Sequence, residues 1–267
     1  MNFANLFAPP NDLTGTTISA TKPVAVFGGH EEAVISWNQE NTGGGFTTDE
    51  GNGSCCADHL EEQLLPVQVW TNDVLCAHSP PRSFDGNPVE PDLWRIFSAA
   101  NANQITTDPP IEGLDGITLQ YAQWVEVQSR ESFIVHGTGP VMAVQYVVSQ
   151  EQTDQVIGDP ATVVAVPVGQ FREDYAILVP DNYGSDWVTV VRLAGDQVLV
   201  DGVPAAAGFA PIGSGDWEVG WVPLDPGVHD LQAAHPFGLI AFGWDSAVSY
   251  GYPAGLNLRA EDWAPAQ

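Results

Sequence analysis

Val135-His-Gly-Thr-Gly-Pro140, followed by Val-Met-Ala-Val-Gln145, is the stretch that determines the fold, because it recurs along the chain. One further copy is Ile18-Ser-Ala-Thr-Lys-Pro23 with Val-Ala-Val-Phe-Gly28, and another is Leu231-Gln-Ala-Ala-His-Pro236 with Phe-Gly-Leu-Ile-Ala241. Each copy reads as a strand, a turn of small residues, a proline and a second apolar strand. The prolines are 117 and 96 residues apart. This recurrence predicts tandem units of about 100 residues.

A second set of matches supports the same period. The offset is 101 residues for three pairs of segments and 93 residues for a fourth pair, which begins two matching strands. The matching pairs are Leu65–Val67 with Val166–Val168, Trp70 with Phe171, Asp73 with Asp174, and Trp94 with Trp187.

Short runs of β-branched and aromatic residues, broken by Gly, Pro, Asn and Asp, predict an all-β chain. A unit of about 100 residues with about seven strands is typical of a β-sandwich, so we predict tandem β-sandwich-like repeats. A β-propeller-like arrangement with two blades in each unit is the alternative. Ala57–Leu65 is predicted to form a short helix, and Ala194-Gly-Asp196 a tight hairpin. The predicted strands are 24–27, 68–75, 94–97, 125–128, 141–148, 175–179, 187–193, 197–200, 217–222 and 237–244.

The period divides the chain into three units. Residues 1–60 hold a truncated first unit and a cysteine-bearing loop, residues 61–150 the second unit and residues 151–267 the third; one compact all-β domain is the alternative. The first residues, Met1–Asn5, have neither the basic residues nor the apolar run of a secretory signal. We therefore expect the chain to lie inside a longer protein whose signal sequence is outside the given residues.

The chain carries 34 Asp and Glu against seven Lys and Arg, a formal net charge of −27. The field of such a protein repels polyanions, which excludes nucleic acid and anionic membrane surfaces as partners. No apolar run approaches the roughly 20 residues that span a bilayer, so direct membrane insertion is not expected. Because the acids fall mainly in predicted turns and loops, we expect salt to screen their repulsion and raise stability.

Three cysteines, Cys55, Cys56 and Cys76, all fall within 22 residues. Their spacing lacks the two separated pairs of a structural zinc site, and adjacent cysteines bond each other only with strain. We therefore expect Cys76 to form a disulfide with Cys56 or Cys55, which indicates an oxidising compartment. Three ordinary thiols in a cytosolic protein are the alternative.

Several segments together resemble the N-terminal domain of the IgG-Fc-binding protein family. These segments are Gly15–His30, Cys56–Val67, Glu90–Ile96, Pro236–Asp245 and Ser249–Asn257. The resemblance implies a secreted or surface-exposed module, with no catalytic residues to transfer and no mapped Fc contact. One Lys against six Arg, with abundant Ala, Gly, Asp and Glu, leads us to expect a bacterial member, for which immunoglobulin is not the expected physiological partner. The family reads Cys directly before Asp-His-Leu, whereas this chain inserts Ala57 after Cys56.

Candidate catalytic and metal-binding groups are few. Ser19-Ala-Thr-Lys22 matches the Ser-x-x-Lys pattern of penicillin-recognising enzymes, but it lies in a predicted β-turn and lacks the partner elements of that chemistry. An acid–base or metal site would need convergent side chains, and solvated acidic loops are the alternative. Two polar clusters contain histidine: His30 with Glu31 and Glu32, and His59 with Asp58, Glu61 and Glu62.

Calcium is the one cofactor that the loops suggest. Asp49-Glu-Gly-Asn-Gly53 supplies oxygen ligands but lacks the full ladder of a calcium loop, so no cofactor is expected and calcium is the alternative.

Aromatic residues crowd the last 50 positions and supply the candidate contacts. Tyr250 and Tyr252 lie in a Gly-rich segment predicted to be a loop, where an aromatic ring can stack on a sugar or anchor a protein interface. Trp217 and Trp221 are four residues apart in a strand pattern, so they share a face and are predicted to fill the sandwich core. The candidate binding residues are Tyr250, Tyr252, Asp58, His59 and Glu61.

The sequence therefore predicts a non-enzymatic extracellular binding or adhesion module of a larger secreted or cell-surface protein, with an unknown protein or glycan as its ligand. A purely structural spacer is one alternative. An enzyme with an unrecognised acidic or histidine-containing site is the other.

Overall fold

The computed structural model describes residues 13–36, 46–47, 56–83 and 89–258, with the pair 46–47 described by its backbone alone. Of the described residues, 55% lie in strands and 4% in helices, which confirms the all-β prediction. The strands form two curled antiparallel sheets in a sandwich-like arrangement, with a three-stranded sheet nearer the N-terminus.

The strands follow the short apolar runs, although their ends differ from the predicted ones. In chain order they are β1 (Phe27–Ile35), β2 (Phe46–Thr47), β3 (Asp58–Gln63), β4 (Thr71–Cys76), β5 (Asp92–Ser98), β6 (Asn103–Asp108), β7 (Ile117–Leu119), β8 (Trp124–Ser129), β9 (Phe133–Val147), β10 (Ala161–Val164), β11 (Arg172–Val179), β12 (Ser185–Leu193), β13 (Val198–Val200), β14 (Val203–Pro204), β15 (Ala210–Ile212), β16 (Trp217–Pro223), β17 (Gly227–Asp245) and β18 (Val248–Pro253). Short 3₁₀ helices cover Val67–Val69, Gln150–Gln152 and Val168–Gln170.

The strand orders of the two large sheets correspond. The seven-stranded sheet runs β7-β6-β9-β5-β8, with β4 and β10 also paired to β9. The eight-stranded sheet runs β14-β13-β17-β12-β16-β15, with β11 and β18 also paired to β17. In each sheet one long strand therefore pairs with four others, and the remaining sheet has the order β2-β1-β3.

The long strands β9 and β17 overturn one detail of the sequence prediction. The predicted small-residue turns before Pro140 and Pro236 do not reverse the chain, because each proline lies inside a continuous strand. Instead the strand changes partners there: β6 pairs with β9 up to Gly137, and β5 pairs with it from Val141 onward. Small residues are needed because a Cβ on Gly137 would lie 2.5 Å from the carbonyl oxygen of Gly139.

One backbone hydrogen bond recurs in three hairpins, namely β1–β3, β9–β10 and β17–β18. In each, the residue after the returning strand donates to the third residue after the recurring proline, with N···O distances of 2.9, 2.9 and 3.0 Å. The bonds are Leu64 N to Val26 O, Ala165 N to Ala143 O, and Ala254 N to Leu239 O. The three hairpins are thus built alike at the positions where the sequence recurs.

The predicted helix over Ala57–Leu65 is wrong, since residues Asp58–Gln63 form β3. Leu60 is buried between exposed His59 and Glu61, which is the period of two of a strand with one covered face. Pairing with β1, with His30 opposite Leu60, outweighs the local helix propensity of this segment.

Each large sheet encloses its own apolar core. In the seven-stranded sheet, the rings of Trp94 and Phe133 meet edge to face at 5.8 Å. In the eight-stranded sheet, the rings of Tyr175 and Phe237 meet at 4.9 Å, and the Tyr175 hydroxyl donates to the carbonyl oxygen of Phe237 at 2.6 Å.

The cores are joined by apolar clusters that cross between the sheets. One cluster brings Leu75 and Ile134 of the seven-stranded sheet against Phe171, Val191 and Val219 on the other side. A second cluster combines residues of β9 and β10 with residues of β17: Val147, Ala161, Val163, Ile240, Phe242 and Trp244. A third connects the β1–β3 hairpin to the seven-stranded sheet: Ala33, Ile35, Leu60, Leu93 and Val148.

Of the predicted unit boundaries, residue 60 lies inside β3 and residue 150 lies before β10. β3 ends at Gln63 and pairs with β1, while β10 ends at Val164 and pairs with β9.

The predicted disulfide of Cys76 with Cys56 or Cys55 is not formed, because Cys76 is a free and fully buried thiol. Its strand, β4, directs the side chain into the core of the seven-stranded sheet beside Trp94 and Phe133. Cys56 lies elsewhere, where its amide donates to Asp159. Cys55 and the loop Asp49–Gly53 lie outside the described residues.

Candidate binding site

A cleft of about 230 Å³ opens where the two large sheets meet. The seven-stranded sheet contributes the segments around its β8–β9 turn, and the eight-stranded sheet contributes β15 and β16. The lining residues are His78, Pro109, Arg130, Glu131, Ser132, Ala210, Pro211, Gly213, Val219 and Trp221. Clefts between packed layers are a usual place for ligand binding.

Trp221 forms the aromatic wall of the cleft. On β16 the side chains of Trp217, Val219 and Trp221 share one face, as predicted for the two tryptophans. That face does not cover the core of its own sheet, however, because Val219 belongs to the cluster that joins the sheets. Trp217 and Trp221 are consequently half-buried at the junction instead of filling a sandwich core.

The Trp221 ring is held in place by His78. The indole Nε1 donates to the His78 carbonyl oxygen at 3.0 Å, and the imidazole meets the indole edge to face at 6.3 Å. The aromatic face is therefore fixed before any ligand arrives, which lowers the entropic cost of binding.

A buried polar network fixes His78 in turn. Its Nδ1 lies 2.7 Å from the Ser79 carbonyl oxygen and its Nε2 lies 2.9 Å from the Glu90 carbonyl oxygen. Both partners are backbone carbonyl oxygens, so the ring is held between two acceptors. The carboxylate of Asp92 lies 3.9 Å from the His78 Nε2. This carboxylate accepts hydrogen bonds from the amide and hydroxyl of Ser79 and from the side-chain amide of Gln145.

A hydrogen bond at the rim of the cleft connects the two large sheets. The Asp108 carboxylate of β6 accepts a hydrogen bond from the Ser214 amide at 2.7 Å. Gly213, at φ +51°, permits this approach, since a Cβ there would lie 2.4 Å from the Asp108 carboxyl carbon. Arg130 donates through Nε to the Val89 carbonyl oxygen at 2.6 Å, which positions its guanidinium beside the cleft.

Tyr250 and Tyr252, which the sequence offered as contacts, belong to a tyrosine cluster with Tyr183. Tyr250 and Tyr252 stack at 5.8 Å, and Tyr183 meets Tyr250 edge to face at 4.8 Å. Their segment is strand β18 and not a loop. The Tyr250 hydroxyl donates to Asp186 at 2.7 Å and the Tyr252 hydroxyl to the Leu178 carbonyl oxygen at 2.9 Å, so both hydroxyls are used internally.

Carboxylates surround the tyrosine cluster. Burial raises the pKa of Tyr183, and the charges of Asp58, Asp186 and Asp245 raise it further. Burial also raises the pKa of Tyr250, with the hydrogen bond to Asp186 as the second cause. A surface with this composition disfavours an approaching anion.

The three remaining candidates separate. β3 places Asp58 on the face toward Tyr183, whereas His59 and Glu61 occupy the opposite, exposed face. His59 and Glu61 lie 3.4 Å apart with side chains 60% exposed, so their interaction is weak. Asp58, His59 and Glu61 therefore do not converge, and in the part of the chain described no group of three or more His, Cys, Asp or Glu side chains could hold a metal ion.

The chain is all-β, and the cleft between its two large sheets is walled by Trp221. A family model described as IgGFc binding protein matches residues 3–243, and the chain belongs to that family. The family comprises binding domains, is not an enzyme family and is typically extracellular. Searches of curated proteins and of solved structures each returned no match. Over the described ranges, no helix is long and apolar enough to span a bilayer.

Sequence reasoning missed the cleft. The alternation Trp217-x-Val219-x-Trp221 gave the shared face, but a period of two does not reveal which neighbouring layer that face covers. His78, Pro109 and Arg130 carried no sequence signal, because the fold brings them to β16 from separate loops.

Proposed function

We propose that the chain is a non-enzymatic binding or adhesion module of a larger secreted or cell-surface protein, and that it holds a protein ligand in the cleft beside Trp221. The observation that carries the proposal is the Trp221 ring, half-buried and fixed by its hydrogen bond to His78. Tryptophan in a preformed recess is a frequent anchor of protein interfaces.

The composition of the cleft suits a protein side chain. Pro109, Pro211 and Trp221 supply apolar surface, while Arg130 and Glu131 place opposite charges at the margin. Such a recess accepts an apolar side chain and orients its polar neighbours. A glycan, which would stack on the same indole, is the competing ligand class.

The family description supplies the first probe, namely the Fc fragment of immunoglobulin G. The experiment compares its binding to the wild-type chain and to Ala210→Arg by surface plasmon resonance. Ala210 is exposed on β15 and lines the cleft, so an arginine there fills the recess without changing Trp221. Ala206→Arg, an exposed position outside the lining, is the matched control.

The proposal predicts that Ala210→Arg weakens protein binding by about tenfold or more while Ala206→Arg does not. A glycan array tests the competing class. If both variants still bound Fc, the Fc contact would lie outside the cleft. If the wild-type chain bound a glycan and Ala210→Arg did not, the ligand of the cleft would be a sugar and not a protein.

A spacer role is a second candidate, which the apolar junctions between the sheets support. Three hairpins with the same hydrogen bond support a division into similar units, while the shared junctions support their behaving as one compact body. A compact scattering profile, together with no binding of the Fc fragment or of any glycan on the array, would favour the spacer over the binding module.

A further inference from the structure

Three arginines of the chain share one arrangement. Each guanidinium lies over an aromatic ring, 3.4–4.8 Å from the ring centroid, and one of its nitrogens approaches a glutamate carboxylate to 2.8–3.4 Å. A guanidinium suits this arrangement because it is planar and weakly hydrated, so its face can stack on a ring while its edge pairs with a carboxylate. The three sets are Arg82 with Trp244 and Glu90, Arg95 with Trp124 and Glu126, and Arg192 with Phe209 and Glu218.

The cleft holds the tryptophan and the glutamate of such a set without the arginine. Trp221 and Glu131 both line the cleft, and in the described part of the chain no guanidinium lies over the Trp221 ring. Arg130 also lines the cleft, but its Nε donates to the Val89 carbonyl oxygen. Ser129 bonds the backbone amide and carbonyl of Glu131, and among the described residues nothing pairs with the Glu131 carboxylate. The cleft therefore presents an aromatic face and a carboxylate to the same ligand.

The hydrogen-bond donors and the charges of the cleft favour a cation over an anion. The Trp221 indole N–H is bonded to the His78 carbonyl oxygen, and each ring nitrogen of His78 faces a backbone carbonyl oxygen. A second carboxylate, that of Asp108, stands at the rim, while Arg130 is the one arginine or lysine of the lining. Together with the net charge of −27, this excess of carboxylates attracts a cationic group.

We propose that the cleft binds an arginine side chain of the protein ligand. The guanidinium of the ligand lies on the Trp221 ring and pairs with the Glu131 carboxylate, as the chain's own arginines do in the three sets above. Its methylene groups cover the apolar surface of Pro109 and Pro211. This role of arginine rests on the proposed function, because it specifies the side chain with which a protein ligand enters the cleft.

The probe is N-acetyl-arginine methylamide, and the citrulline and lysine analogues are its controls. Citrulline has the shape of arginine without the charge, and lysine has the charge without the planar group. Binding to the full chain at fixed ionic strength is followed by NMR through the indole N–H signals, of which the Trp221 signal is the one lost in Trp221→Leu. We expect the arginine compound to shift the Trp221 signal to saturation, and we expect binding to be about tenfold weaker for citrulline and about threefold weaker for lysine.

One charge-removing variant tests the carboxylate. Glu131→Gln keeps the size of the side chain and is expected to weaken binding of the arginine compound by about two- to fivefold, the range for one exposed ion pair. Glu173→Gln is the matched control, because Glu173 is exposed, lies outside the lining and changes the net charge equally. We expect this control to bind the arginine compound as the wild-type chain does.

Three results would each overturn the proposal. The first is an unshifted Trp221 signal, the second is equal binding of the arginine compound and either analogue, and the third is an equal effect of Glu131→Gln and Glu173→Gln.

The Fc experiment with Ala210→Arg separates this proposal from the proposed function. If Ala210→Arg weakened Fc binding but the arginine compound did not bind, a protein would occupy the cleft through another side chain, and the arginine assignment alone would fail. If the arginine compound shifted the Trp221 signal while Ala210→Arg left Fc binding unchanged, the arginine site would stand and the Fc contact in the cleft would fail.

Discussion

Arg82 offers the sharpest test of how the sheets are held together. Its side chain is 1% exposed, and its guanidinium donates to the carbonyl oxygens of Val148 at 2.9 Å and Ile157 at 3.2 Å. It also lies 4.8 Å above the Trp244 ring and 3.4 Å from the buried carboxylate of Glu90. Burial lowers the pKa of Arg82, with the neighbouring carboxylates of Glu90 and Asp92 opposing that shift.

We expect Arg82→Met to destabilise the fold by about 3–5 kcal/mol, because removing one member of a buried ion pair leaves the other charge uncompensated. For a chain of this size that corresponds to a fall in melting temperature of about 10 °C. The double variant Arg82→Met/Glu90→Gln removes the remaining charge and should recover about 2 kcal/mol.

Urea unfolding monitored by tryptophan fluorescence measures these changes. The matched control is Arg172→Met, since the Arg172–Asp174 pair has side chains 39% and 70% exposed and contributes less than about 1 kcal/mol. Arg82→Met within about 1 kcal/mol of wild type, or a double variant less stable than the single one, would refute the assignment of Arg82 as the buried link.

Three further predictions concern titration, thiol access and salt. Burial raises the pKa of Asp159 to about 7, with the charge of Asp58 adding to the shift. The folded chain then holds a proton that the unfolded chain has lost, so stability falls as pH rises from about 4 to about 7. Asp159→Asn should make the fall in stability smaller. Part of the fall should remain in this variant, because burial also raises the pKa of Glu62 to about 7. If the melting temperature of the variant depended on pH as that of the wild type does, this prediction would be contradicted. Burial raises the pKa of the Cys76 thiol, so we expect an alkylating reagent to modify it only as fast as the protein unfolds. Peptide-level mass spectrometry measures this rate. Modification of Cys76 in the folded protein within seconds would contradict its buried position. Raising salt to about 1 M, where the Debye length is about 3 Å, should increase the melting temperature of a chain with net charge −27, and a flat or falling melting temperature would show that charge repulsion does not limit stability.

Much of the strand content could be predicted because alternation and turn residues are local signals. β12, for example, was predicted as residues 187–193 and runs over Ser185–Leu193. The course of the chain at Pro140 could not be predicted, since a proline after small residues signals a turn as readily as a strand that changes partners. β3 was missed because its pairing with β1 is a long-range contact.

The candidate site was less predictable than the fold. The sequence singled out Tyr250 and Tyr252, but it could not show that Asp186 and Leu178 already occupy their hydroxyls. The sequence pattern predicted that Trp221 fills a core. Alternation along a strand shows which side chains share a face, but it does not show which neighbouring sheet covers that face. Cys76 was paired by elimination among three cysteines, whereas its surroundings are those of an apolar core residue.

The long strands have a mechanical consequence. β9 and β17 each hold four neighbours along their length, so the halves of each sheet share one continuous piece of backbone. Tension applied through the chain would load these ladders in shear, and many hydrogen bonds would have to break together before any strand slipped. A domain built this way would resist extension without needing a covalent cross-link at Cys76.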